Sequence, residues 1–342
     1  MTFVQINVMK LINSKAEIIP QGEGIEGVYR QIEVCGRTCY KSEDKMTDTS
    51  SKAFVDRMIA SNHTAMLEQG TVYLKIPCNW LHRLTHIGLC SKYIENPYSR
   101  THEMYEFLNT PMSHDTTSAN MVPYLAVTTN LRVLVENDWL EDLKYICEPT
   151  QYHEKRYTMR FTTDRGVMAE LTRHRAFSFS VESTRYCNYS RDKFDNEITF
   201  INPSWLNLNK GKYQTVTTNN EIQIVGDGLV KGYYDKDKEA TFLRSCLDSE
   251  SDYMNLIDEG CSPQEARQVL PNALKTEVCM TGFASDWRFF FDLRFYGETG
   301  KPHPDMELLA SKARSEFVKA GLWDNILACP TKFDKDDTEG KD

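Results

Sequence analysis

Residues 173–185 read Arg173-His174-Arg175-Ala176-Phe177-Ser178-Phe179-Ser180-Val181-Glu182-Ser183-Thr184-Arg185. A phosphate or pyrophosphate needs several donors converging on one point, and this stretch supplies three arginines, a histidine and a run of hydroxyls. The cationic character extends outward. Between Lys155 and Arg191 eight basic residues stand against three acidic ones, a local charge of +5 in a chain whose net charge is -9. Positive charge concentrated on an otherwise acidic protein points to an anionic ligand. A salt-bridge network is the bland alternative and is favoured for an arginine picked at random, but not for so dense a cluster.

The flanks of this stretch predict its setting. From Asp164 to Phe177, Val167, Leu171 and His174 fall on one helical stripe, with Glu170 and Arg173 three apart on another. The motif is therefore expected to begin on a helix, with Arg173 and Arg175 on different sides, and to run into a hydroxyl-rich loop from Ser178. Upstream, Tyr157–Thr162 and Tyr124–Glu136 are rich in β-branched and aromatic residues and predict strands. Thr71–Ile76 alternates and is closed by Pro77, as a strand should be. Residues 50–61 place Phe54, Val55, Met58 and Ile59 at helical spacing. Residues 77–120, with the turn-like Asn96-Pro97, predict an excursion from the core. Downstream, 210–234 reads as an exposed hairpin or loop and the chain turns helical from Asp235. Ser262-Pro263-Gln264-Glu265 is a capping box with proline at the first helical position. Met306–Leu322 is the last amphipathic helix expected, and the acidic tail from Asp334 reads as disordered. Strands and helices alternate irregularly, which favours an α+β core with a mixed or antiparallel sheet over a doubly wound one.

With 342 residues, 40% hydrophobic and 26% charged, the chain has the composition of a globular protein. Its ten cysteines contain no Cys-x-x-Cys pair, and several lie in apolar runs, which predicts reduced, buried thiols rather than a disulfide frame or a metal site. Cys35 and Cys39 read as buried helix residues. His82 and His86 are four apart, but no glutamate lies between them as in a zinc protease motif, so no metal is expected. No stretch reaches the roughly 18 apolar residues of a membrane span and no cationic leader opens the chain, so the expected location is cytoplasmic.

Arg173-His174-Arg175, then seven residues, Ser183, and Arg185-Tyr186 together resemble the signature of flavin-dependent thymidylate synthases. Two further elements resemble the same family in the same order. His63-Thr64-Ala65-Met66-Leu67-Glu68 lies upstream. Ala266-Arg267-Gln268-Val269-Leu270-Pro271 lies downstream, followed by Leu293-Arg294 and His303. The resemblance covers about 25–76, 157–205 and 237–323. It implies one main domain over 1–333, with 77–156 an insertion and 334–342 the tail.

The resemblance implies roles residue by residue. Arg173, His174 and Arg175 would contact FAD, together with His63 and Ser285. Ser183, Thr184 and Arg185 would hold the phosphate of dUMP, joined by Arg267 from another subunit. Glu170, Arg173 and Glu182 would also face the nucleotide, Glu182 standing in for the acid or amide usual at the position of Val181. Arg294 would sit against the uracil ring as the catalytic cation, stabilising an enolate-like ring so that C5 becomes nucleophilic. Methylenetetrahydrofolate and NADPH are the implied co-substrates, and a homotetramer with shared active sites the implied assembly. Ser183 itself reads as a phosphate ligand, since a nucleophilic hydroxyl needs a base within reach.

The sequence leaves two other readings. Phe283 and Phe289 stand where polar flavin contacts are usual in the family, which fits a relative that has lost catalysis. The arginines from Arg156 to Arg191 alternate with Tyr157, Phe161, Phe177, Phe179, Tyr186 and Tyr189, which fits a nucleic-acid surface. The overall charge of -9 weighs against the latter, so no nucleic-acid partner is expected.

Overall fold

The structure is a computed structural model that describes residues 8–78, 90–107, 121–191, 194, 197–218, 221–331 and 333. Strands β1 (Val8–Ile12) and β2 (Lys15–Ile19) precede helices α1 (Gly24–Tyr40) and α2 (Ser50–Ala60). A 3-10 turn over Thr64–Gln69 leads to β3 (Thr71–Pro77), β4 (Arg100–Phe107), β5 (Met121–Asn130) and the short helix α3 (Leu131–Glu136). Next come β6 (Arg156–Asp164), α4 (Arg165–Leu171), β7 (Ser178–Val181) and β8 (Ile198–Ile201). The last third holds β9 (Gly211–Thr218), β10 (Glu221–Gly226), β11 (Leu229–Gly232), α5 (Lys238–Asp258) and β12 (Lys275–Phe283). Helices α6 (Ala284–Phe291), α7 (Pro304–Lys319) and α8 (Trp323–Leu327) follow.

These strands make three open sheets, so the α+β expectation holds. The central one is antiparallel, in the order β2-β6-β12-β7. Its core is aromatic: Phe161, Trp287, Phe290, Phe291 and Phe317 are fully buried between the sheet and helices α6 and α7. A second sheet, β11-β10-β9-β1-β8, is antiparallel except for the parallel pair β1 and β8, and packs on α5. The third, β3-β5-β4, is antiparallel and shares a core with α1 and α2.

Local chemistry explains where the sequence reading held and where it failed. Helix α2 buries Phe54, Val55 and Met58 as the periodicity required. The strand expected over Tyr124–Glu136 stops at Asn130, whose side chain accepts from the Val133 amide at 3.2 Å and starts α3. A capping residue inside a β-branched run thus overrides propensity. Within the expected excursion 77–120, the described residues include a helical turn over Ser91–Ile94 and the strand Arg100–Phe107, paired with β5. Helix α8 follows the one expected to be last. Cys78 and Cys90 are joined in a disulfide, against the expectation of free thiols throughout. Cys35, Cys187, Cys246 and Cys279 are buried and free, and Cys39 is half-buried on α1. His82, His86 and the acidic tail lie outside the described residues.

Candidate active site

The signature stretch does not begin on a helix. Asp164 caps α4 by accepting from the Val167 amide at 2.8 Å, and the helix ends at Leu171, so Arg173, His174 and Arg175 occupy the turn beyond it. Val167, Leu171 and His174 are all buried, although the helix ends before the histidine, and they anchor that turn to the aromatic core. Phe177 packs on Gly282 of β12, where an added Cβ would come within 2.4 Å of the Phe177 ring. The expected loop from Ser178 is strand β7, hydrogen-bonded to β12. A loop begins only at Glu182.

A cavity of about 550 Å³ opens beside the turn, lined by Arg173, His174, Arg175, Ser285, Phe289 and Arg294 among others. Five residues expected at the site thus share one space. Arg173 and Arg175 are exposed, and neither side chain has a protein partner among the described residues. Cations left without counter-ions in a cavity suit an anionic ligand.

Arg294 is held differently. It sits in the irregular turn Asp292–Tyr296 that extends α6. Its Nη1 donates to Glu170 Oε2 at 2.9 Å and its Nε to His174 Nε2 at 3.0 Å. Burial, and next the Arg294 charge, hold the His174 imidazole down at about 4, so at neutral pH it is an uncharged acceptor. Glu170 is thereby a partner of the arginine.

The hydroxyl-rich loop forms a second group, at the other end of β7. The Ser183 amide donates to Cys39 O at 3.0 Å. Thr184 is buried, its Oγ1 accepting from Arg267 Nη1 at 3.0 Å. Arg267 thus reaches the loop within one chain, where a second subunit had been expected to supply it. Arg185 and Tyr186 are exposed, the guanidinium 5.8 Å from the Tyr186 ring centroid. Glu182 is 2% exposed; its Oε2 lies 2.8 Å from Lys275 Nζ and 3.9 Å from Lys41 Nζ, while Oε1 has no hydrogen-bond partner among the described residues. Glu277 completes this buried quartet, 2.7 Å from each lysine. Burial pushes the Glu277 carboxyl up, but Lys275 and Lys41 outweigh it and bring it down to about 2. His63 is exposed ahead of the Thr64–Gln69 turn and does not line the cavity.

Arg100, Asp286, Asp292 and Thr331 line the cavity without having been singled out from the sequence. Asp286 sits at the third position of a helix whose start the aromatic run Trp287–Phe291 conceals, its Oδ2 accepting from the Phe283 amide at 3.1 Å. Arg100 lies on a strand with no clear alternation. Of the aromatics in the nucleic-acid reading, Phe161, Phe177 and Tyr189 are buried and Tyr186 is exposed.

Residues 150–320, half of the chain, match the family model described as thymidylate synthase complementing protein. A probable flavin-dependent thymidylate synthase of Paramecium bursaria Chlorella virus 1 is 22% identical over 207 residues, 59% of this chain and 87% of the viral protein. The flavin-dependent thymidylate synthases of Synechocystis sp. (strain ATCC 27184 / PCC 6803 / Kazusa) and Geobacter sulfurreducens (strain ATCC 51573 / DSM 12127 / PCA) are 24% and 26% identical over 156 and 130 residues. Those matches span 45% and 38% of this chain, and 64% and 43% of the bacterial proteins, less than two thirds of either. Among solved structures, a UMP/dUMP methylase PolB from Streptomyces cacaoi bound with 5-Br dUMP aligns over 94% of this chain and 98% of its own, at 15% identity and a TM-score of 0.40. On the match over its 150–320 segment, the chain belongs to the thymidylate synthase complementing protein family.

Proposed function

We propose that this protein methylates dUMP to dTMP, with methylenetetrahydrofolate as the carbon donor and FAD and NADPH as the reducing system. The observation that carries this reading is the gathering of Arg173, His174, Arg175 and Arg294 around one cavity, the side chains of Arg173 and Arg175 having no partner among the described residues. Bound flavin, reduced by NADPH, would supply the hydride that completes the methyl group. Arg173 and Arg175, with Ser285 beside them, would hold that cofactor by its phosphates. Arg294, fixed by Glu170 and by neutral His174, would direct its remaining N–H groups at a uracil carbonyl. There it would stabilise the negative charge that makes C5 nucleophilic. Ser183, Thr184, Arg185 and Arg267 would grip the nucleotide phosphate.

In one chain the phosphate loop and the arginine cavity lie at opposite ends of β7, whose four residues span roughly 10 Å. This separation supports a homotetramer in which the loop of one copy faces the cavity of another. Tritium release from [5-³H]dUMP in the presence of FAD, NADPH and methylenetetrahydrofolate tests the proposal. Release that requires all three supports it; purified protein that binds flavin and dUMP yet releases no tritium would mark a relative that has lost catalysis.

A further inference from the structure

Among its described residues, the segment 77–156 carries one arginine into the cavity. Arg100, the first residue of β4, lines it together with Arg173, Arg175 and Arg294. Its guanidinium lies 4.7 Å from the centroid of the Phe283 ring, which also meets the Arg156 guanidinium at 5.4 Å. Nη1 donates to Ser99 O at 3.3 Å and Pro97 O at 3.4 Å, and Nε stands 3.8 Å from Glu154 Oε2. Glu154 is itself engaged, its Oε1 accepting from the Ser285 amide at 3.1 Å and from Ser285 Oγ at 2.5 Å. Arg100 is thus positioned by an aromatic face and two carbonyls, with a carboxylate beyond close hydrogen-bond range, and its side chain remains 42% exposed.

Its place along the cavity matters. Ser285, Asp286, Phe289, Asp292 and Leu293 line one wall at helical spacing. A rise of 1.5 Å per residue carries the wall about 9 Å from Ser285 to Phe291, and the irregular turn that holds Arg294 extends it further. Arg100 is at the Ser285 end, and Arg294 with His174 at the other. Arg294 and Arg100 have Glu170 and Glu154 beside them, so the cations of this lining without an acidic partner among the described residues are Arg173 and Arg175. A compact ligand cannot span that distance, whereas an elongated one with an anionic group well removed from its ring system can.

We propose that Arg100 binds a phosphate of a dinucleotide cofactor, so that the 77–156 segment completes the cofactor site. This rests on the flavin- and NADPH-dependent reading above. The shared chemistry is a pyrophosphate, and FAD and NADPH are its two possible sources. The test uses purified full-length protein and Arg100→Met, which can still lie on Phe283 but carries no charge. Affinities for FAD, riboflavin and NADPH are measured by flavin fluorescence quenching and calorimetry. The expected result is a tenfold or greater loss of affinity for FAD, or for NADPH, with riboflavin affinity unchanged. Which dinucleotide suffers identifies the source. Unchanged affinity for both dinucleotides would overturn the proposal, as would equal losses for FAD and riboflavin, the sign of an arginine that only docks the segment. Should Arg100→Met fail to fold, phenylglyoxal labelling of the wild-type protein substitutes: Arg100 should be protected by FAD or NADPH and not by riboflavin, and labelling indifferent to every ligand would overturn it. A wild-type chain that binds no dinucleotide defeats the parent reading as well, whereas one that binds them independently of Arg100 defeats only this inference.

Discussion

Arg294 Nε donates to His174 Nε2 at 3.0 Å while Nη1 of the same guanidinium meets Glu170 Oε2 at 2.9 Å. Two residues of one turn-and-helix unit thus fix the plane of an arginine about 120 residues away in sequence. Glu170→Ala leaves Arg294 held through one edge only, and an unfixed cation no longer meets the charge that develops on the ring. We expect kcat to fall about ten- to hundredfold, with KM for dUMP changed less, because the loss is one of orientation. Steady-state kinetics check this, and a kcat within twofold of wild type would remove Glu170 from a positioning role.

The same pair predicts a pH dependence. Burial and Arg294 lower the His174 pKa to about 4, against about 6.5 in the unfolded chain. Between those values the unfolded state binds the proton and the folded state does not. The stabilisation is therefore full above about pH 6.5 and is lost as pH falls toward 4. By pH 5 the loss amounts to about 2 kcal/mol. Urea denaturation at pH 7 and pH 5 should show it, and His174→Gln should flatten that part of the difference. An unaltered slope in His174→Gln would assign the acid sensitivity elsewhere.

What was legible in the sequence was whatever depends on local pattern. The stripe of Val167, Leu171 and His174, the strand closed by Pro77 and the box at Ser262 could be read because spacing and capping are encoded within a few residues. Arg173, His174, Arg175 and Arg294 were reached through resemblance to a family, and among the described residues no side chain pairs with Arg173 or Arg175. What was missed is non-local. Glu182 gave no sign that Lys275 and Lys41, from another strand and the end of another helix, sit beside its Oε2. Arg100 gave no signal because its place in the cavity depends on where β4 sits against Phe283. Asn130 was a local signal that a β-branched run concealed.

Glu250 predicts a stabilising substitution. It is buried on α5, and burial, with the nearby Glu197 charge, raises its pKa to about 7. For a raised carboxyl the folded state holds the proton longer than the unfolded one, so stability is present below about pH 4.5 and is lost as pH rises through 7. At pH 8 the folded protein carries a buried carboxylate that Glu250→Gln removes. The variant should gain about 1–3 kcal/mol at pH 8 and close to nothing at pH 4.5. Thermal melts at the two pH values are the check; a variant less stable than wild type at pH 8 would mean that the carboxylate has a partner worth more than its burial costs.

The division of the site between the two ends of β7 predicts complementation. Arg294→Ala removes the cavity cation and leaves the phosphate loop intact; Arg185→Ala does the reverse. If each working site joins the loop of one copy to the cavity of another, each variant alone is inactive. In a mixture allowed to exchange subunits, roughly a quarter of the sites pair an intact loop with an intact cavity, and activity returns to that fraction. Tritium release from [5-³H]dUMP in mixed and unmixed samples, alongside sedimentation of each, measures the outcome. Mixtures that stay inactive while subunits demonstrably exchange would place loop and cavity in one chain, with one ligand reaching along the roughly 10 Å of β7.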